Sequence, residues 1–190
     1  MDSQKIIICT TFRDFKGNEN DQVQRLFLES LESQKYKNFE VVVTLFGEKE
    51  VENELRKFNL KTFFCYGDPG PFRYSLTQVV TNAINYAEKK YKENYIILWT
   101  TCDVIFSDNF LNSLIRNYKV NILGTSHPHR IYFSREDYKG GKYREEGLYS
   151  GFDLVYFDKK FLQNDKLFKS LKNYVYNDWG IFEHFLISLG

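Results

Sequence analysis

A chain of 190 residues, 43% hydrophobic and 27% charged, has the size and balance of one globular domain that buries its core without disulfides. Its net charge of +1 projects no field toward nucleic acid or an anionic bilayer, so nucleic acid is not expected as a partner. Cys9, Cys65 and Cys102 are odd in number and lack ligand spacing, and they read as small buried thiols in a reducing compartment. No run approaches the roughly 18 apolar residues of a transmembrane segment, and the polar opening MDSQ followed by the short KIIIC makes no secretory leader. A cytoplasmic protein, peripheral at a membrane at most, is the expectation.

KIIICTTF (5–12) is β-branched and almost wholly apolar, the pattern of a strand buried on both faces. RDFKGNEND (13–21) is a polar loop. From Gln22 the spacing of Val23, Leu26, Phe27 and Leu31 predicts a helix that ends near KYKN. FEVVVTLF (39–46) predicts a second strand, broken by Gly47. In KEVENELRKF (49–58), Val51, Leu55 and Phe58 fall at i, i+4 and i+7 and predict a second helix, with KTFFCY (61–66) as a third strand. GDPGPFR (67–73) holds the Pro/Gly cluster of the chain and reads as a loop. Leu76, Val79, Val80, Ala83, Ile84 and Ala87 then keep a helical period, and YIILW (95–99) predicts a fourth strand. Ser107 or Asp108 is the expected N-cap of a helix through Phe110, Leu111, Leu114 and Ile115, followed by a strand in VNILGTS. Residues 126–150 break this pattern and predict a small irregular or β insertion. FDLVYF (152–157) predicts a strand, DKKFLQ the start of a short helix, and the last residues a helix after Asp178. Strands alternating with helices of this length predict an α/β fold with a mainly parallel central sheet flanked by helices.

In such a sheet, ligands gather beyond the carboxyl ends of the strands. Thr10, Thr11 and Arg13 follow the first strand there, and Thr101 and Asp103 follow the fourth. Asp103 stands directly before Val104, Ile105 and Phe106, where a charge is costly to bury unless something pairs with it. The chain has no G-x-G-x-x-G after its first strand, no G-x-x-x-x-G-K-[ST] and no G-x-S-x-G, which disfavours dinucleotide, P-loop and nucleophile-elbow chemistry. His127 and His129 in SHPHR lack a third zinc ligand at useful spacing. A carboxylate at a strand end, completed by phosphates and water, suits Mg²⁺ or Mn²⁺ instead.

Five segments in order resemble the GT-A nucleotide-sugar glycosyltransferases, specifically their large inverting family 2 group. IIICTTFRD is similar to the opening strand and turn, and Asn82 to Ala87 in TNAINYA to an N-x-x-x-x-A helix stretch. YIILWTTCDVIFSDNFL is similar to the strand that delivers a D-x-D-like metal motif, with Thr101 at its first position. YSGFDLVYFDKKFL and YNDWGIFEHFLISLG are similar to the two later motifs, the last with Asn-Asp where the family has Glu-Asp. Where the family places a base-reading Asp after the second strand, this chain offers Thr44 or Glu48.

The resemblance implies a GT-A, Rossmann-like single domain over 1–190, with a nucleotide-binding half (1–125) and an acceptor and catalytic half (126–190) shorter than in relatives. It implies Asp178 as the general base that deprotonates an acceptor hydroxyl, and Asp103 as the ligand of Mn²⁺ or Mg²⁺. Thr10, Thr11, Arg13, Arg73, Thr101, His127, His129 and Arg130 would join Asp103 around a nucleotide-sugar donor, with a UDP-sugar as the first expectation. The acceptor would be a glycan, a lipid-linked sugar or a protein. Plainer roles stand beside these: Asp103 capping a turn, Asp178 capping a helix. Two rival readings are a non-catalytic GT-A-like binding or assembly module and a nucleotidyltransferase.

Overall fold

The computed structural model describes residues 4–12, 14–17, 19–47, 49–68, 75–119, 124–126, 129–132, 144–148 and 154–164. In chain order its elements are β1 (Lys5–Thr10), α1 (Glu19–Glu32), β2 (Phe39–Leu45), α2 (Lys49–Leu55), β3 (Thr62–Tyr66), α3 (Leu76–Lys90) and β4 (Tyr95–Thr100). They continue with α4 (Phe110–Asn117), β5 (Gly124–Ser126), β6 (His129–Tyr132), β7 (Arg144–Leu148), β8 (Leu154–Asp158) and α5 (Lys159–Asn164). Six strands form one sheet in the order β3-β2-β1-β4-β8-β5. β1 to β4 run parallel, and β8 lies antiparallel to both β4 and β5. The expected α/β architecture, a mainly parallel sheet flanked by helices, is the observed one.

The unbroken apolar runs are explained by burial on both faces of the sheet. Along β1, β2 and β4, alternate side chains enter two separate cores. Ile7, Cys9, Val42, Ile97 and Trp99 pack with α3 and α5, while Ile6, Ile8, Val41, Val43, Ile96 and Leu98 pack with α1, α2 and α4. The chain steps outward from β1 to β3 through α1 and α2 on one face. It must return to β4 on the far side of β1 through α3, and right-handed crossovers place that helix on the opposite face. Ser75 starts α3 by accepting the Gln78 N–H at 3.3 Å.

Several boundaries differ from expectation for tertiary reasons. β1 ends at Thr10 rather than Phe12, because Phe12 leaves the sheet and turns into the core beneath α1. α1 begins at Glu19, earlier than Gln22, and α2 stops at Leu55 where Lys57 and Phe58 donate to carbonyls three residues back. The N-cap of α4 is Asn109, without a side-chain cap bond, rather than Ser107 or Asp108. Ser107 uses its carbonyl to accept the Phe110 N–H at 2.9 Å, and the Asp108 carboxylate lies 3.7 Å from Lys35 Nζ. Within 126–150, β6 and β7 form a two-stranded antiparallel ribbon with an irregularity between His129 and Ile131. Cys9 is buried as expected, and burial pushes its thiol pKa up, whereas Cys65 and Cys102 are only half-buried; all three are free. No helix among the described residues is long and apolar enough to cross a membrane.

The amino end of the sheet is closed by a buried carboxylate. Glu40 on β2 is 1% exposed and lies 3.2 Å from Lys5 Nζ and 2.9 Å from Lys90 Nζ, with Lys61 also paired to it. The Tyr86 hydroxyl donates to it at 2.6 Å. These groups stand at the rim opposite the one where the predicted site residues follow β1 and β4.

Candidate functional site

β1 and β4 are neighbours, yet the chain leaves β1 toward β2 and β3 on one side and leaves β4 toward the β8–β5 side. Such a reversal opens a crevice at the carboxyl ends of the two strands, where open α/β sheets bind ligands. Cys9 and Trp99 are the last residues paired between β1 and β4, and Thr11 and Thr101 each stand one residue past the end of their strand, on the two lips of this crevice. Both strands deliver a Thr-Thr pair to the same rim.

The inner threonine of each pair is satisfied. Thr10 and Thr100 are 0% and 1% exposed, and their hydroxyls donate to the carbonyls of Thr11 at 3.4 Å and Thr101 at 3.2 Å. The outer threonines are not. The Oγ1 atoms of Thr11 and Thr101 are buried with no hydrogen-bond partner among the described residues. An unsatisfied buried hydroxyl costs about 1–3 kcal/mol, and two on one rim are a strain that a polar ligand would relieve.

Asp103 lies two residues past Thr101, in the turn that ends β4. Its side chain is exposed, which corrects the expectation of a carboxylate sunk among apolar neighbours. The chain turns away from the sheet here, so Val104 and Ile105 are half-buried and only Phe106, 5% exposed, enters the core beneath α1. Among the described residues Asp103 has neither a hydrogen bond nor an ion-pair partner. Its carboxylate and the Thr101 hydroxyl are hard oxygen donors at the lip of the crevice, a set that fits Mg²⁺ or Mn²⁺ when phosphates and water complete the shell. No cluster of three or more His, Cys, Asp or Glu with metal-site geometry occurs among the described residues, so the protein's own donors would be few.

The structure therefore brings Thr10, Thr11, Thr101 and Asp103 together on one rim. Arg13, Arg73, His127 and Asp178 lie outside the described residues, as does Glu48. His129 and Arg130 open the strand β6. Thr44, the other candidate base reader, is fully buried and accepts a hydrogen bond from Asn82 Nδ2 at 3.2 Å. That bond gives the N-x-x-x-x-A stretch a structural task, tying α3 to the end of β2. A separate concavity of about 520 Å³ lies between α1 and α2, lined by Phe15, Asp21, Arg25, Asn53 and Glu54 among others, and includes none of the predicted site residues.

No protein-family model and no curated protein matches the chain. Solved structures do. The mannosyltransferase PcManGT from Pyrobaculum calidifontis, in complex with GDP-Man and Mn²⁺, matches at a TM-score of 0.55 and 11% identity, over 84% of this chain and 46% of that one. A 4-diphosphocytidyl-2C-methyl-D-erythritol synthase matches at a TM-score of 0.56 and 11% identity, over 98% of this chain and 86% of that one. A protein from Desulfovibrio desulfuricans G20, described as a nucleotide-diphospho-sugar transferase, matches at 0.50 and 11% identity, over 83% and 65% respectively. This chain thus spans less than half the length of the mannosyltransferase. At such identities the likeness is one of fold, and the fold is that shared by nucleotide-diphospho-sugar transferases and cytidylyltransferases.

Proposed function

We propose that this chain transfers a sugar from a nucleotide-diphosphate donor to an acceptor hydroxyl, with inversion, as a GT-A enzyme of the family 2 kind. The observation that carries the reading is the pair of unsatisfied buried hydroxyls, Thr11 and Thr101, beside the unpartnered carboxylate of Asp103 at the switch point between β1 and β4. A donor with a ribose and a diphosphate supplies hydrogen-bonding groups to both hydroxyls at once. Both hydroxyls are shielded from water.

In this reading Thr10 and Thr100 hold the backbone of the two lips, and Thr11 and Thr101 orient the donor. Asp103, with Thr101, holds Mn²⁺ or Mg²⁺, and a cation bound there would stabilise the negative charge that develops on the departing diphosphate. Arg13 and Arg73 add cationic contacts to phosphate or base, and His127, His129 and Arg130 neutralise the leaving diphosphate. Asp178 takes the proton from the acceptor hydroxyl as it attacks the anomeric carbon. Residues 1–125 bind the donor, and residues 126–190 supply the acceptor side. UDP-sugars are the first donors to test, and GDP-mannose is added because it is the ligand of the similar mannosyltransferase.

One observation favours a second reading, nucleotidyl transfer: the erythritol synthase is matched over 86% of its own length. The two reactions release different products. Incubation with nucleotide-sugars, Mn²⁺ and a panel of glycan, lipid-linked and peptide acceptors releases a nucleoside diphosphate if sugar is transferred. Incubation with nucleoside triphosphates and sugar phosphates releases pyrophosphate if a nucleotidyl group is transferred. Nucleoside diphosphate release that Asp178→Asn abolishes supports the proposal. Pyrophosphate release alone, or neither product, overturns it.

A further inference from the structure

The segment that carries Asp103 has no helix or strand of its own between β4 and α4, so its backbone groups must find partners elsewhere. The Phe106 N–H and the Ser107 and Asp108 carbonyls find them on α1 and the residues that follow it. Gln24, Ser30 and Gln34 are 3%, 7% and 0% exposed. Gln24 Oε1 accepts from the Cys102 thiol at 3.5 Å. Ser30 Oγ accepts the Phe106 N–H at 3.2 Å while donating to the Phe27 carbonyl at 2.6 Å. Gln34 makes a double clasp: its Nε2 donates to the Ser107 carbonyl at 2.7 Å, and its Oε1 accepts the Leu111 N–H at 3.1 Å. The same Nε2 also donates to the Ser30 carbonyl at 3.0 Å, and the Lys35 N–H donates to the Asp108 carbonyl at 2.9 Å.

These anchors run from Cys102 to Leu111, and Asp103 sits between the first and the second of them. Apolar side chains at positions 24, 30 and 34 would fill the same space without desolvating amides and a hydroxyl. What the polar ones add is direction, since the hydrogen bonds of Ser30 and Gln34 fix the backbone groups they engage. Direction matters for a metal ligand, because a carboxylate misplaced by about an ångström no longer completes its site.

We propose that Gln34, acting with Ser30 and Gln24, is the positioning residue of Asp103. α1 and the turn that follows it fix the segment after β4 so that the carboxylate meets the Thr101 hydroxyl at the crevice, and the cation affinity of the site depends on that hold. The inference rests on the donor- and cation-binding reading above. It assigns to α1 and the turn after it a role in the metal-dependent part of donor binding that contact with the ligand does not require.

The test compares wild type with Gln34→Leu, which removes the clasp at similar volume, and with Ser30→Ala as the milder variant should Gln34→Leu fail to fold. Val80→Ala, in the core on the opposite face of the sheet, serves as a control for lost stability. Two quantities are read in the full chain: amide hydrogen exchange across residues 102–111, and Mn²⁺ half-saturation in the presence of a nucleotide-sugar. The expected result is faster exchange in that segment and a Mn²⁺ half-saturation raised about tenfold in Gln34→Leu, with metal-independent nucleotide affinity unchanged. Ser30→Ala shifts both readouts in the same direction, and Val80→Ala shifts neither. Unchanged exchange, or an equal Mn²⁺ response in Gln34→Leu and a responsive wild type, overturns this inference alone. A wild type that binds donor without regard to Mn²⁺ overturns it together with the reading beneath it.

Discussion

Replacing Glu40 by Gln removes one charge and little volume from the amino end of the sheet. Burial alone would raise the Glu40 carboxyl pKa, but hydrogen bonds from Lys61, Lys90, Tyr86 and Tyr91 outweigh it and hold the group well below its ordinary value of 4.5. The three lysines do not lose equally in the variant. The Lys61 and Lys90 side chains are 68% and 38% exposed and return to water, whereas the Lys5 side chain is only 14% exposed and keeps a poorly solvated charge. Removing one partner of a buried pair costs about 3–5 kcal/mol, and the re-solvation of two lysines places Glu40→Gln near the low end, about 3 kcal/mol. For a chain of this length that lowers Tm by about 6–12 °C. The sign of the pH dependence follows from a folded-state pKa below the unfolded one. The contribution of Glu40 is complete above about pH 4.5, because both states are then ionised. Below that value the unfolded chain takes up the proton first, so the gap between wild type and variant closes by up to about 1.4 kcal/mol per pH unit as pH falls. Urea unfolding of both proteins at pH 7, 4 and 3 measures the gap directly. Equal stabilities at pH 7, or a gap that stays constant down to pH 3, would refute the reasoning.

The two orphaned hydroxyls make a prediction of opposite sign. Thr11→Val and Thr101→Val remove a buried group that has no partner, so each leaves stability unchanged or raised by up to about 1 kcal/mol in urea unfolding, while weakening nucleotide binding measured by calorimetry. Loss of both stability and binding would mean that the hydroxyls have partners in the folded chain. Gly67→Ala acts through space: a Cβ there would run into the ring of the buried Phe46, and a loss of about 1–3 kcal/mol is expected on thermal unfolding.

The central strands were legible because burial on both faces leaves a nearly unbroken apolar run, as in IIIC, VVV and YIILW. The rim that carries Thr11 and Asp103 was legible for the same reason, since the ends of those runs mark the carboxyl edge of the sheet. The environment of each rim residue was not. Asp103 reads as buried beside Val104, Ile105 and Phe106, yet the chain turns there and only Phe106 goes inward. Ser107 and Asp108 both satisfy the preferences of an N-cap, and Asp108 instead faces Lys35, a partner 73 residues earlier. Whether a threonine hydroxyl finds an acceptor depends on the local course of the backbone past the strand end, where Thr10 and Thr100 reach the next carbonyl, so nothing in TTF or TTC separates Thr10 from Thr11 or Thr100 from Thr101. The polar hold on Asp103 left a fainter trace: Gln24 and Gln34 flank Phe27 and Leu31 at i, i+3, i+7 and i+10, two amides on an otherwise apolar stripe. Attention to apolar period alone passes over them.

The most direct measurement is a thermal-shift panel of UDP-, GDP-, CMP- and dTDP-sugars, each with Mn²⁺ and with chelator, on wild type and Asp103→Ala. One donor family is expected to raise the Tm of the wild type in Mn²⁺, with chelator removing most of the shift. Asp103→Ala, an exposed substitution expected to leave the Tm without ligand within a degree or two, is expected to show only the chelator-level response. A wild type that no nucleotide shifts under any condition, or an Asp103→Ala variant that responds as the wild type does, would contradict the proposed donor site.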